Sequence, residues 1–107
     1  MFGRKNQSKF SVNFTFDKTQ MTNLYNFATL RLEDEFFTLD WASGRVAQVN
    51  YKDIASASVV RHGFYTFIEI KANGFDVFIT GSKNKQILTR LNEKCGGRFL
   101  RNEIKPS

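Results

Sequence analysis

From Phe10 to Thr80 the apolar residues of this chain recur mostly at every second position, and beyond Ser82 they recur at every third or fourth. Side chains alternate across a strand and return to one helical face every 3.6 residues. The change of period therefore dictates a succession of strands closed by one amphipathic helix. The fold class that follows is mostly β with one C-terminal α-helix.

The alternation is clearest at Phe10, Val12, Phe14 and Phe16, interleaved with Ser11, Asn13 and Thr15. It is the signature of a strand buried on one face. Asp17 to Asn23 is polar and reads as a loop, and a less regular strand follows from Leu24 to Leu32. Glu33-Asp34 turns the chain into a strand over 35–41 that places Phe37, Leu39 and Trp41 on one face. Ala42-Ser43-Gly44 is a short hairpin link. In the next strand, 45–51, Val46 and Val49 fall out of alternation, which predicts a bulge. Strands over 54–61 and 64–71 are separated by His62-Gly63, with Phe67 or Ile68 and Ile70 facing inward. Asn73-Gly74 is a hairpin signal, because such turns need residues tolerant of positive φ. Phe75 to Thr80 is the last strand of the run. Ser82 is a suitable N-cap, Ile87, Leu88, Leu91 and Cys95 share one helical face, and Gly96-Gly97 supplies a left-handed stop.

The chain's 107 residues suffice for one domain with its own core. Twelve phenylalanines on an alternating pattern fill volume without polar groups to satisfy. The expected organisation is a basic tail over 1–9, a domain over 10–97 and a basic tail over 98–107. No apolar run approaches the roughly 18–20 residues that cross a bilayer, so no integral membrane segment is expected. The first nine residues lack the apolar stretch of a signal peptide. A single cysteine, Cys95, forms no internal disulfide, and a cytoplasmic protein is the expectation. The net charge of +6 is distributed as +3 over residues 1–9, −2 over 10–82 and +5 over 83–107. Positive charge concentrated at the ends and on the helix favours acidic partners, or solubilises frayed ends and a solvated helix face.

Seven short strands followed by one capping helix is the element order of the pleckstrin-homology (PH)-like and GRAM-like domains. The chain resembles their small bacterial members in Phe37-Thr38-Leu39-Asp40-Trp41, in Val49-Asn50-Tyr51-Lys52-Asp53-Ile54 and in Asn73-Gly74 leading into Phe75-Asp76-Val77-Phe78. The helix start, Ser82-Lys83-Asn84-Lys85, is similar to theirs. The resemblance covers about residues 10–95. It implies a seven-stranded antiparallel barrel capped by a helix, and a binding module without an active site of its own. Phosphoinositide-binding members carry a basic motif on the first two strands. Here that region offers only Lys18 and Arg31, and the motif is absent. An all-β sandwich with a peripheral helix satisfies the same periodicity.

The chemistry-bearing residues are few. His62, the only histidine, has no nucleophile or carboxylate motif beside it and reads as a turn residue. Cys95 reads as a small buried hydrophobe. Glu33-Asp34-Glu35 lacks the further oxygen ligands of a metal loop, and one His with one Cys makes no zinc site. The reading is accordingly not an enzyme, with no catalytic residues, no metal and no cofactor. A regulatory or adaptor protein that binds a protein partner is the leading expectation, with Arg61, His62, Phe64 and Tyr65 as the partner-binding turn. The alternative is electrostatic binding to a polyanion, nucleic acid or an anionic membrane surface, through Lys83, Lys94, Arg98 and Arg101. The sequence leaves the oligomeric state open.

Overall fold

In β1 (Lys9–Thr15), Phe10, Val12 and Phe14 are buried while Ser11 is exposed and Asn13 half-buried, so the alternation becomes one strand with one buried face. The computed structural model describes residues 8–21, 26–41, 44–97 and 105–106. The following elements are β2 (Phe27–Leu32), β3 (Phe36–Trp41), β4 (Gly44–Asn50), β5 (Ile54–His62), β6 (Tyr65–Ala72), β7 (Phe75–Thr80), α1 (Asn84–Lys94) and a two-residue β8 (Lys105–Pro106). Mostly β with one helix after the strand run is therefore the architecture, and the observed strands match the expected ones within a residue or two, except that β2 begins at Phe27, three residues after the expected Leu24.

The strands form one sheet in the order β4-β3-β2-β1-β7-β6-β5-β8. β1 through β4 are a meander, β5 through β7 are another, and β1 joins them. Its residues Lys9 to Asn13 pair with β2, and Asn13 to Thr15 pair with β7, so β1 exchanges partners at Asn13. A strand that changes partners in this way turns a corner between two packed halves. Seven strands are antiparallel, while β8 runs parallel to β5 beside Val60 and Arg61.

The sheet does not close into a barrel, which corrects the expectation of a closed one. Its pairing order ends at β4 on one side and at β8 beside β5 on the other. The physical reason lies in the connection. The chain passes from β4 to β5 through a 3₁₀ turn, Tyr51–Asp53, not through a hairpin. Tyr51 is buried there, its ring 6.5 Å from that of Phe37. Side chains, not a ladder, thus join the two halves at that seam.

The main core draws on β1 through β7 and on Ile87, Leu91 and Cys95 of the helical segment. Burying Ile87 and Leu91 contributes about 1.5–3 kcal/mol each. A second, smaller cluster joins Met21, Phe67 and Phe78, with Val60 against it, on the opposite face of the β5–β7 half. Both alternatives for β6 are thus realised: Ile68 and Ile70 enter the main core and Phe67 the second one. The segment after β1 brings Met21 to that face. Asp17 caps a 3₁₀ turn, Lys18–Gln20, and its Oδ1 accepts from the Thr19 amide (3.0 Å) and hydroxyl (2.7 Å). These hydrogen bonds, that from the hydroxyl foremost, hold its carboxyl below the usual range.

The helix does not use Ser82 as its cap. Lys83 stands at the N-cap and makes no side-chain capping hydrogen bond. Asn84 does the anchoring: its Oδ1 accepts from Gly81 N at 2.9 Å, and its Nδ2 donates to the Thr66 carbonyl at 2.8 Å. The C-terminal stop is as expected. Gly97 N donates to Asn92 O (2.8 Å) and Gly96 N to Glu93 O (3.1 Å), with φ of 79° and 70° at the two glycines. This is the Schellman arrangement, which satisfies the last carbonyls of the helix. Among the described residues no helix is long and apolar enough to cross a membrane.

Candidate functional site

The β5–β6 hairpin gathers the four expected partner-binding residues into one protrusion. His62 pairs with Tyr65 across a two-residue loop, and Arg61 pairs with Thr66. Gly63 occupies the first loop position with φ of 62°. A left-handed glycine in that place matches the twist of the flanking strands, so the hairpin is held tightly. Phe64, the second loop residue, is fully exposed. Tyr65 is about half exposed, and its ring lies edge-on to Phe67 at 6.4 Å. Through that contact the protrusion rests on the Met21–Phe67–Phe78 cluster. Arg61 is exposed and His62 half-buried. An apolar ring at the tip, a phenol at the base and a flanking guanidinium are the residue types that anchor protein interfaces.

Of the residues expected to bind a polyanion, the two described ones stand apart. Lys83 and Lys94 stand at opposite ends of α1, whose 11 residues span about 16 Å. Lys94 Nζ lies 3.7 Å from Asp34 Oδ1. Arg98 and Arg101 lie outside the described residues.

A cleft of about 520 Å³, not expected from the sequence, opens where the C-terminal end of α1 meets the β4–β5 connection. Asp34, Glu35, Tyr51, Lys52, Lys94 and Cys95 line it, with both signs of charge represented. The Tyr51 hydroxyl donates to the Glu33 carbonyl at 2.7 Å. Burial first, and then the Cys95 thiol and the Glu33 and Asp34 carboxylates, push the Tyr51 phenol well above its ordinary range. It stays a neutral donor. Cys95 is buried, as its position on the apolar face of the helix implies. Among the described residues no three His, Cys, Asp or Glu side chains gather as metal ligands.

The outer face of β2–β4 carries the remaining polar network. Asp40 Oδ2 accepts from Arg31 Nε at 2.8 Å, and Arg45 Nε lies 3.5 Å from Asp40 Oδ1. That second oxygen is buried without a hydrogen bond of its own. The ladder shifts register between Leu39 and Asp40, opposite Val46, which is the expected bulge. The extra residue is Val46, so the bulge belongs to β4. Trp41, the last residue of β3, is about half exposed, whereas Phe37 and Leu39 on the same alternation are buried.

No protein-family model matches the chain, and no curated protein matches it. Fold and site together define a class by architecture alone: an antiparallel seven-stranded sheet, bent at its first strand and covered by a C-terminal helix.

Proposed function

We propose that the chain is a PH-like domain that works without catalysis, as a regulatory or adaptor protein whose β5–β6 hairpin docks onto a protein partner. Element order supports the PH-like reading, since two meanders joined through the first strand and followed by a helix over the core suit that family. The docking reading is carried by one observation, the fully exposed Phe64 at the tip of a tightly held hairpin. Placing a phenylalanine in water forgoes roughly 1.5–3 kcal/mol that burial against a partner recovers. The tip needs no rearrangement to present it, which lowers the ordering cost of association.

The test is affinity purification of the tagged full chain from its own cells, beside the double variant Phe64→Ser, Tyr65→Ser. The expected result is a discrete protein that survives a high-salt wash with the natural chain and is lost with the variant. Anchor residues of this kind cost about 2 kcal/mol or more when truncated, a loss of roughly thirtyfold in affinity. Unchanged recovery with the variant overturns the assignment of the hairpin. A ligand that leaves at raised salt, and that is lost on reversing Lys83, Lys94, Arg98 and Arg101 instead, replaces this reading with the electrostatic one.

A further inference from the structure

We infer that the outer face of β1 and β2 is a groove for single-stranded nucleic acid, its bases stacking on Phe27 and Trp41 and its phosphates meeting Lys9 and Lys83. This inference is independent of the hairpin and uses a different surface. Two hollows lie side by side on that face. One, of about 460 Å³, is lined by Phe27, Trp41, Asn13 and Asp40 together with Ser11 and Thr29. The other, of about 470 Å³, is lined by Lys9, Ser82 and Lys83, again with Ser11 and Thr29. Ser11 and Thr29 are register partners across β1 and β2, so the two hollows are one groove with a shared floor. From Lys9 to Asn13 it runs about 13 Å along the strand.

The two ends of the groove differ in chemistry. At one end two aromatic rings stand in water, Phe27 at 60% and Trp41 at 49% exposure. Every base has a π face, so exposed rings hold successive bases without regard to sequence. At the other end Lys9 and Lys83 are both exposed. Between them Ser11, Asn13 and Thr29 offer hydroxyl and amide groups suited to sugar oxygens and base edges. Arg31 and Arg45 belong to the same outer face, where the single carboxylate of Asp40 meets both guanidiniums, and this leaves an excess of positive charge. Of the acidic turn that follows β2, Asp34 and Glu35 line the cleft at the C-terminal end of α1, where Lys94 Nζ lies 3.7 Å from Asp34 Oδ1. A neutral glycan would use the rings and leave the cations idle. A lipid surface calls for a protrusion, whereas these rings line a hollow. Rings and cations along one groove suit a single strand.

Trp41 is the only tryptophan of the chain, so its emission reports on the groove directly. The experiment titrates the full chain at low salt with a short oligothymidylate while following tryptophan fluorescence, with inorganic polyphosphate as a polyanion that cannot stack. The expected result is saturable quenching by the oligonucleotide, reversed by salt, and none by polyphosphate. Phe27→Ser, a change at an exposed position, is expected to weaken binding at least fivefold, because base–aromatic stacking is worth about 1–3 kcal/mol per base. Lys9→Glu and Lys83→Glu are each expected to weaken it and to flatten its dependence on salt, by about 0.7 in log–log slope for each phosphate no longer neutralised. Three outcomes overturn the inference. They are no quenching in the natural chain, equal quenching by polyphosphate, and oligonucleotide binding that leaves Trp41 unchanged and tolerates Phe27→Ser. The last of these places the nucleic acid on the basic ends.

Discussion

Tyr51 shows how much one residue settles. It is buried, packs on Phe37 and donates its hydroxyl to the Glu33 carbonyl, so it ties the β4–β5 connection to the β2–β3 turn. Tyr51→Phe keeps the ring and leaves that carbonyl without its donor, a cost of about 0.5–1.5 kcal/mol at neutral pH. Because the folded-state pKa is raised, the sign of the pH effect follows. The contribution is fully present below the ordinary tyrosine value of about 10 and is lost as pH rises beyond it, since the unfolded chain ionises first. Urea midpoints are therefore expected to separate the two proteins near neutrality, and the gap is expected to narrow or reverse between about pH 9 and about pH 11. A gap that stays constant across that range would refute the neutral, buried donor. At this scale the sequence was legible wherever a side chain obeyed its strand's alternation, as Phe10, Val12, Leu39 and Ile79 do. It was silent on Met21. A methionine in a polar stretch has no period to reveal it, and only the turn built by Asp17 carries it over Phe67 and Phe78. Trp41 follows the alternation of Phe37 and Leu39, but as the last residue of β3 it is about half exposed, which alternation alone does not foretell.

Among the elements, the junction of β7 with α1 is where sequence and structure part most usefully. Ser82 has the chemistry of a cap, yet the helix starts two residues later and is tied to the sheet by Asn84, because a long-range partner, the Thr66 carbonyl, is within reach. Local propensity ranks Ser and Asn as equals at a helix start. Only the third dimension chooses between them. Gly81 has an equally non-local reason. A Cβ built there would lie 2.9 Å from the Ser11 carbonyl oxygen and 3.4 Å from a Val12 methyl, because the chain leaving β7 passes against β1 close to its change of partners. Backbone cannot give way as a flexible side chain does. Gly81→Ala is expected to cost about 1–3 kcal/mol, as overpacking does. Gly44→Ala is the control, for its added Cβ has nothing within 4 Å, and its effect should stay within about 0.5 kcal/mol. Equal midpoints for the two variants in urea would show that the close approach at Gly81 carries no energetic weight. The candidate sites were legible unevenly for the same reason. The hairpin residues are neighbours in sequence, so reading along the chain finds them. The groove draws Lys9 and Asn13 from one strand, Phe27 from the next, Trp41 from the third and Lys83 from the helix start, and nothing linear marks that convergence.

The whole molecule is an open sheet whose two halves share one hydrophobic core, and its unfolding should show it. An open sheet with only side chains at one seam invites the thought of two units, a β1–β4 meander and a β5–β7 meander with its helix. The packing argues otherwise. Phe10, Val12 and Phe14 of β1, Leu30 and Leu39 of the first half, Ile68 and Val77 of the second, and Ile87 and Leu91 of the helix all belong to a single cluster. The helix packs on β5 and β6, and its Ile87 and Leu91 belong to the same cluster as the β1–β4 residues. Separating the halves would break the pairing of Asn13, Phe14 and Thr15 with Thr80, Ile79 and Phe78. The Met21–Phe67–Phe78 cluster is small and the main core is shared by both halves, so partial unfolding exposes nearly as much apolar surface as complete unfolding and gains less chain entropy. Small domains in that position unfold in one step. Trp41 reports on the first half, being in β3, and the circular-dichroism signal near 222 nm is weighted by α1, which packs on β5 and β6. The expected outcome in urea is a single transition with the same midpoint and slope by both probes. A fluorescence change that clearly precedes the loss of helix would mean that the seam between β4 and β5 is a true boundary and that the first meander melts alone. Coincidence would instead show that Tyr51, Ile54 and the helix join the halves as firmly as a closing ladder would, which is how a sheet without barrel closure behaves as one folding unit.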